Sequence, residues 1–357
     1  MSADRVPRTV QLLDFEPIAD DGWRAWLDRV NSSVIVGHAN KIIALGLDDD
    51  GESAVDHVSF DRVTGVCLDP ALGLRVVARH EIWTLTDGVG AGRRSPTGAD
   101  RWLMCRGVRF VGGVVPADPA VIDGDCWFAS VALSAVCSLD DTLSARLRWV
   151  PPFISETRPE TRCRLTGLGV RDGRAAVVTA ASTADSPNGW EAARVDGGVV
   201  VDIDTGEVVA SGLSMPHSPR WYDGAWWLVQ AGTGELGYLD GARFVAVSRI
   251  DGFARGLAID GGVAAIGGSG SRWDELVRGY PVGDRLSAAG RRPESGVFLV
   301  DLQTGQRIGA MTLDGTAREI SDVVVVPGAR RVELSGPTGP AAQDWTTFPD
   351  VIAPAGG

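Results

Sequence analysis

His217, Asp118 and Asp322 are the side chains of this sequence best suited to moving a proton, and each stands at or next to the start of a short apolar run. Arg62, Arg164 and Arg255 stand at or just before the starts of three other runs. An imidazole titrates near neutrality and serves as acid or base. A guanidinium grips carboxylate or phosphate through paired N–H donors. Brought together, these residues describe a pocket for a small anionic molecule. In it His217 is the proton carrier, Asp118 or Asp322 orients it or acts as the opposite acid or base, and Arg164 and Arg255 clamp the anion. Thr64, Thr166, Ser218, Glu319 and Ser321 occupy the same places, Arg220 lies just inside a run and faces inward or outward, and Trp190 sits in a long insertion. Such a set fits acid/base rearrangements (isomerisation, cyclisation or elimination), as in natural-product or peptide modification.

Convergence depends on the runs themselves. They are Thr64-Gly-Val-Cys-Leu-Asp-Pro, Asp118-Pro-Ala-Val-Ile-Asp-Gly, Thr166-Gly-Leu-Gly-Val-Arg-Asp-Gly, Ser218-Pro-Arg-Trp-Tyr-Asp-Gly, Arg255-Gly-Leu-Ala-Ile-Asp-Gly and Ser321-Asp-Val-Val-Val-Val-Pro-Gly. Each opens on a polar or small residue and ends in a turn dipeptide, and successive starts lie 37 to 66 residues apart. Hairpin patterns follow at 34–45, 75–85, 126–139 and 226–239, with Asp-x-x-Thr-Gly turns at Asp202 and Asp301. A repeat of this size built from short strands predicts a β-propeller, whose innermost strands line one channel.

The first hairpin has no inner strand before it and the last inner strand lacks its outer ones. Joining them gives six blades rather than seven, in an all-β ring closed by strands from both ends of the chain, which leaves no bare sheet edge. The predicted organisation is a lead-in over 1–30 with a short helix at Trp23–Val30, a propeller over 31–335 and an irregular tail over 336–357. Insertions at 182–196 and 269–295 read as lids or as plain surface loops, the second with a short helix within Arg272–Arg278.

The string from Met215 to Gly224, together with Arg162–Leu168, Phe253–Leu257 and Gly189-Trp190 followed by Asp196-Gly-Gly198, resembles a bacterial family of unknown function. The resemblance runs over roughly 30–330 and implies a six-bladed propeller without an assigned activity. That family tends to carry His-Asp where Ala117-Asp118 stands here, and Cys-His-Leu-Asn-Gly where Cys163-Arg-Leu-Thr-Gly167 stands here. The resemblance therefore transfers no histidine metal site to these positions.

Other readings compete with the anion pocket. A divalent metal would draw on Asp118, His217, Glu319 and Asp322, while His38, His57 and His80 belong to outer strand patterns. A non-catalytic scaffold would bind a protein partner through some of the 12 tryptophans, although Trp83, Trp127, Trp226 and Trp227 fall on strands and fit packing between blades. Arginines at blade junctions also commonly bond backbone carbonyls. No cofactor is implied, since neither a P-loop nor a dinucleotide fingerprint is present. The net charge of −12 argues against nucleic acid, and no apolar run is long enough to span a membrane. An N-terminus without a signal segment and five cysteines without CxxC spacing fit a reduced, cytoplasmic protein.

Overall fold

The computed structural model describes residues 15–90, 92–270, 276–315 and 319–338. The six runs form the innermost strands of six antiparallel blades: Gly65–Asp69 (blade I), Pro116–Ile122 (II), Leu165–Arg171 (III), Pro216–Tyr222 (IV), Phe253–Asp260 (V) and Ile320–Pro327 (VI). Each innermost strand packs beside the next, and blade VI returns to blade I, so the ring is closed. The protein is a six-bladed β-propeller.

Blade VI is the seam. Its innermost strand comes from the end of the chain, and Ser32–His38, Lys41–Leu47 and Ser53–Ser59 come from the beginning. Val34 pairs with Val325 and Val36 with Val323 in that joint. Both ends then go further than the repeat foretells. Phe15–Ala19 adds a fifth, antiparallel strand to blade V along Arg307–Gly315. Val332–Ser335 adds a fifth strand to blade I, parallel to Arg101–Phe110. The lead-in thus contains a strand as well as the expected helix.

That helix spans Asp21–Val30, two residues earlier than predicted, because Asp20 caps it by accepting from the Trp23 N–H at 2.8 Å. It ends at Asn31 in the left-handed conformation (φ 48°) and buries Trp23, Trp26 and Leu27 against blades V and VI. Apolar clusters fill the seams between adjacent blades, with Trp226 between blades III and IV and Trp227 between IV and V. Burying one such side chain contributes roughly 1.5–3 kcal/mol. The strand tryptophans are interblade packing.

Both insertions join the second and third strands of their blades, at the channel end where the innermost strands begin. Blade IV, between them, has only the turn Ala231–Gly234 at that place. The turn must be slim. A Cβ on Gly232 would stand 3.0 Å from the Tyr280 ring, and the Gly232 carbonyl accepts from the Val282 N–H at 2.9 Å. Arg285 donates to the carbonyls of Thr233 (2.9 Å) and Ile250 (3.0 Å). The helix of the second insertion is Pro281–Ala288, opening on a proline as helices favour. Most of the expected helix within Arg272–Arg278 lies outside the described residues, which omit 271–275, 1–14 and most of the expected tail, while 276–278 form a turn. Trp190 from the first insertion and Val277, Tyr280, Val282 and Leu286 from the second share one cluster with Met215 and Phe253.

Candidate functional site

Strand entry decides where each side chain points. The ladders of blades II, III, IV and V slip in register near their starts, and Asp118 (φ 42°), Ser218 (φ 52°) and Gly256 (φ 73°) take the left-handed conformation within the slip. Arg62 (φ 52°) and Arg164 (φ 56°) take it just before blades I and III. At Gly256 a Cβ would also stand 2.6 Å from the Val323 nitrogen. These local twists divide the predicted ring residues into two layers.

The lower layer lies in the channel. Arg220 points inward and donates from Nη2 to Asp118 Oδ1 at 2.7 Å, from Nη1 to Asp118 Oδ2 at 3.3 Å and from Nε to the Leu257 carbonyl at 2.9 Å. Its Nη2 also lies 3.7 Å from Asp322 Oδ1. Asp118 Oδ2 accepts the Leu168 N–H at 2.9 Å, and Asp322 Oδ2 accepts the Val66 N–H at 3.1 Å. The six residues of this cluster come one from each blade. Burial alone would lower the Arg220 pKa, but the Asp118 and Asp322 carboxylates raise it well above its ordinary value. Two buried carboxylates against one guanidinium leave one negative charge in excess. Asp322 absorbs it: burial, then Asp118, push its pKa up to about 7.

This corrects the expectation that Asp118 or Asp322 orients His217. Both pair with Arg220, and among the described residues no group of three acidic, histidine or cysteine side chains has metal-holding geometry.

The upper layer is the mouth. His217 is buried, and its Nδ1 lies 2.8 Å from the Met215 carbonyl. A carbonyl only accepts, so the hydrogen is on Nδ1 and Nε2 keeps its lone pair. Burial first, then Arg255 and Arg164, press the His217 pKa down to about 3, so the ring is neutral at physiological pH and not poised near neutrality as expected. Arg164 stacks on the Trp190 ring with its guanidinium carbon 4.4 Å from the centroid, and its Nε is buried without a hydrogen bond. Burial and then Arg255 push the Arg164 pKa down to about 10, against the opposing pull of Tyr280 and Glu319. Arg255 lies over Phe253 at 5.1 Å and donates to Glu319 at 2.8 Å, with its Nε also unsatisfied. Arg62 is exposed at the rim, close enough to add to the depression at Arg164.

Three of the small polar residues at the run starts are committed to the ring. Thr166 donates to the Pro216 carbonyl of the next blade, as Thr64 does to Pro116 at 2.6 Å. Ser218 accepts the Gly256 N–H at 3.2 Å. Ser321 stays beside Asp322 with its hydroxyl buried and without a hydrogen bond.

Sequence reasoning missed Tyr280, Phe253 and Arg194. The edge-to-face pairs His217–Phe253 (6.2 Å) and Phe253–Tyr280 (5.4 Å) place an aromatic row across the mouth, and Arg194 covers Tyr280 at 5.3 Å. Tyr280 and Arg194 lie in aperiodic insertions, where no spacing signal exists. Phe253 opens a strand and reads as core.

No curated protein sequence matches the chain. Solved structures similar to it include a protein of unknown function from Bacteroides caccae (14% identity, covering 83% of this chain and 98% of that one, TM-score 0.48). A gluconolactonase from Xanthomonas campestris aligns at 14% identity over 81% of this chain and 87% of its own, with a TM-score of 0.46. A virginiamycin B lyase from Staphylococcus aureus aligns at 11% identity over 84% and 99%, with a TM-score of 0.40. At that distance none of them bears on activity. No helix among the described residues is long and apolar enough to cross a membrane. Residues 21–334 match the family described as domain of unknown function DUF4915, and the chain belongs to that family.

Proposed function

We propose that the mouth binds a small anionic molecule bearing a carboxylate or phosphate, and that the protein is an enzyme that moves a proton on it, in an isomerisation, cyclisation or elimination. The observation that carries this reading is Arg164. Among the described residues it has no carboxylate within salt-bridge distance, although it is half-buried beneath Trp190 with an unsatisfied Nε. A cation in that position is unfavourable until an anion joins it. Arg255 grips the same anion from blade V, Arg62 adds charge at the rim, and the two insertions form the cover.

His217 is the acid/base residue. Its Nδ1 hydrogen is held by Met215, so Nε2 receives the proton. The guanidiniums that weaken its basicity are the groups an anion neutralises, so ligand binding raises the affinity of Nε2 for a proton when a base is required.

The test is a thermal-shift titration with mono- and dicarboxylates, phosphate esters and a metabolite extract, on the wild type and on Arg164→Gln. Stabilisation by anions in the wild type, lost in the variant, is expected. A wild type indifferent to every anion, or an equal response from Arg164→Gln, overturns the reading. Once a substrate is in hand, a folded His217→Ala variant with full turnover removes His217 from the chemistry.

A further inference from the structure

Tyr280 lies at the mouth, packed on its ring faces but with no hydrogen bond to its hydroxyl among the described residues. The residue is 8% exposed, and its ring is fixed on three sides: edge-on to Phe253, beneath the Arg194 guanidinium and against the turn at Gly232. Its backbone is held as well, since the Tyr280 carbonyl accepts the N–H groups of Gly283 (3.0 Å) and Asp284 (3.2 Å) at the start of its helix. The hydroxyl makes no hydrogen bond among the described residues. Burial raises the Tyr280 pKa above its ordinary value despite opposing Arg194, Arg164 and Arg255, so the hydroxyl keeps its proton and is a donor.

The donors at the mouth differ in origin. Arg164 comes from blade III, Arg255 from blade V and Tyr280 from the second insertion. A planar carboxylate is served fully by one bidentate guanidinium. Donors carried by three separate elements, near enough to act on one another electrostatically, suit a tetrahedral group with three free oxygens. The charges agree: against Arg62, Arg164, Arg194 and Arg255 stand Glu319, ion-paired with Arg255, and Glu191 near Tyr280, an excess of two positive charges among these described residues that a dianion matches better than a monoanion.

Resting on the anion-site reading, we infer that the mouth takes a phosphoryl group, and that Tyr280 is its third ligand, delivered by the insertion that covers it. The substrate class is a phosphate monoester rather than a simple carboxylate.

The experiment is calorimetric titration of the full chain with inorganic phosphate and, separately, with acetate, on the wild type, Tyr280→Phe and Arg164→Gln. Phenylalanine keeps the ring packing, so the cover stays in place. Phosphate is expected to bind at least about 10-fold more tightly than acetate, and Tyr280→Phe to lose roughly 10-fold for phosphate with little change for acetate, the effect of one hydrogen bond to a charged group. Acetate binding as tightly as phosphate overturns the phosphoryl assignment while leaving an anion site. Unchanged phosphate affinity in Tyr280→Phe removes Tyr280 from the ligand set. If neither anion binds the wild type, or Arg164→Gln binds both as well, the anion-site reading fails with it. The chain has three tyrosines, so an ultraviolet titration of wild type against Tyr280→Phe isolates this phenol. Its pKa is expected to rise further when phosphate is present, and an unchanged value counts against direct contact.

Discussion

Arg220 and Arg164 stand in neighbouring blades of one ring, yet their surroundings are opposite. Arg220 meets two carboxylates and a carbonyl and belongs to a cluster with one residue from every blade. Arg164 meets an aromatic ring and other cations. The first arrangement consumes the charge to hold the ring, and the second keeps it available. The channel therefore holds one arginine that is paired with carboxylates and one that, among the described residues, has no carboxylate within salt-bridge distance. Residue type alone does not distinguish them.

The largest effect should come from breaking the centre. Arg220→Met leaves Asp118 and Asp322 buried without a cation, and a loss of roughly 3–5 kcal/mol is expected in urea unfolding. A loss below about 1 kcal/mol would mean that the cluster contributes little and the contrast with the mouth is false.

Next, the two carboxylates should differ. Asp118→Asn removes the closest charge on Arg220 and should destabilise by roughly 2–3 kcal/mol. Asp322→Asn should change stability by less than about 1 kcal/mol near pH 7, because Asp322 already shares a proton there and the amide resembles that state. Equal losses would show that the excess charge is spread over both.

The pH dependence sharpens the comparison, since each layer holds one group whose displacement falls in the acidic range. His217 has a native pKa of about 3 against 6.5, so the unfolded chain binds its proton first and acid destabilises through this window. Asp322 has a native pKa of about 7 against 3.8, so the native state binds its proton first and this term favours the fold as pH falls. Where both windows overlap, between 3.8 and 6.5, the slopes oppose each other. Each full proton is worth about 1.4 kcal/mol per pH unit. Asp322→Asn should therefore become more acid-sensitive than the wild type, and His217→Gln less so. Parallel curves for both variants would contradict the assignment.

The smallest stability effect belongs to the mouth. Arg164→Gln should alter unfolding free energy by less than about 1 kcal/mol, or raise it, because an unpartnered buried cation is removed. A large destabilisation would make Arg164 a structural residue like Arg220.

The sequence carried the architecture because every blade repeats its own punctuation, a polar opening and an Asp-Gly, Asp-Pro or Pro-Gly close, and even the seam at 34–45 and 321–326 could be paired from what each half lacked. The division into layers was not legible. Asp118, Arg164 and His217 look equivalent as residues near run starts, and only the left-handed turns at Asp118, Arg164 and Ser218 send them to different depths. Arg220 was ambiguous for the same reason: a register slip between His217 and Arg220 decides which way it faces. Tyr280 was invisible because contact with Phe253 arises from docking of an insertion on Gly232, a tertiary event with no periodic trace. The outer strand Val332–Ser335 was seen only as the end of the propeller span, because parallel pairing with Arg101–Phe110 has no local turn to announce it.

The seam in blade VI also sets a timetable. Ser32–Ser59 is synthesised early, but its inner partner Ile320–Pro327 follows only after five other blades. At roughly 5–20 residues per second, the wait on the ribosome is tens of seconds. During it the strand bearing Val34, Ile35 and Val36 has one edge open to foreign strands. The opening helix at Trp23–Leu27 likewise lacks the Arg307–Gly315 strand against which it finally packs. Nascent chains stalled short of residue 320 should therefore associate with chaperones or with one another, and release from that hazard comes only when the last inner strand reaches the first hairpin.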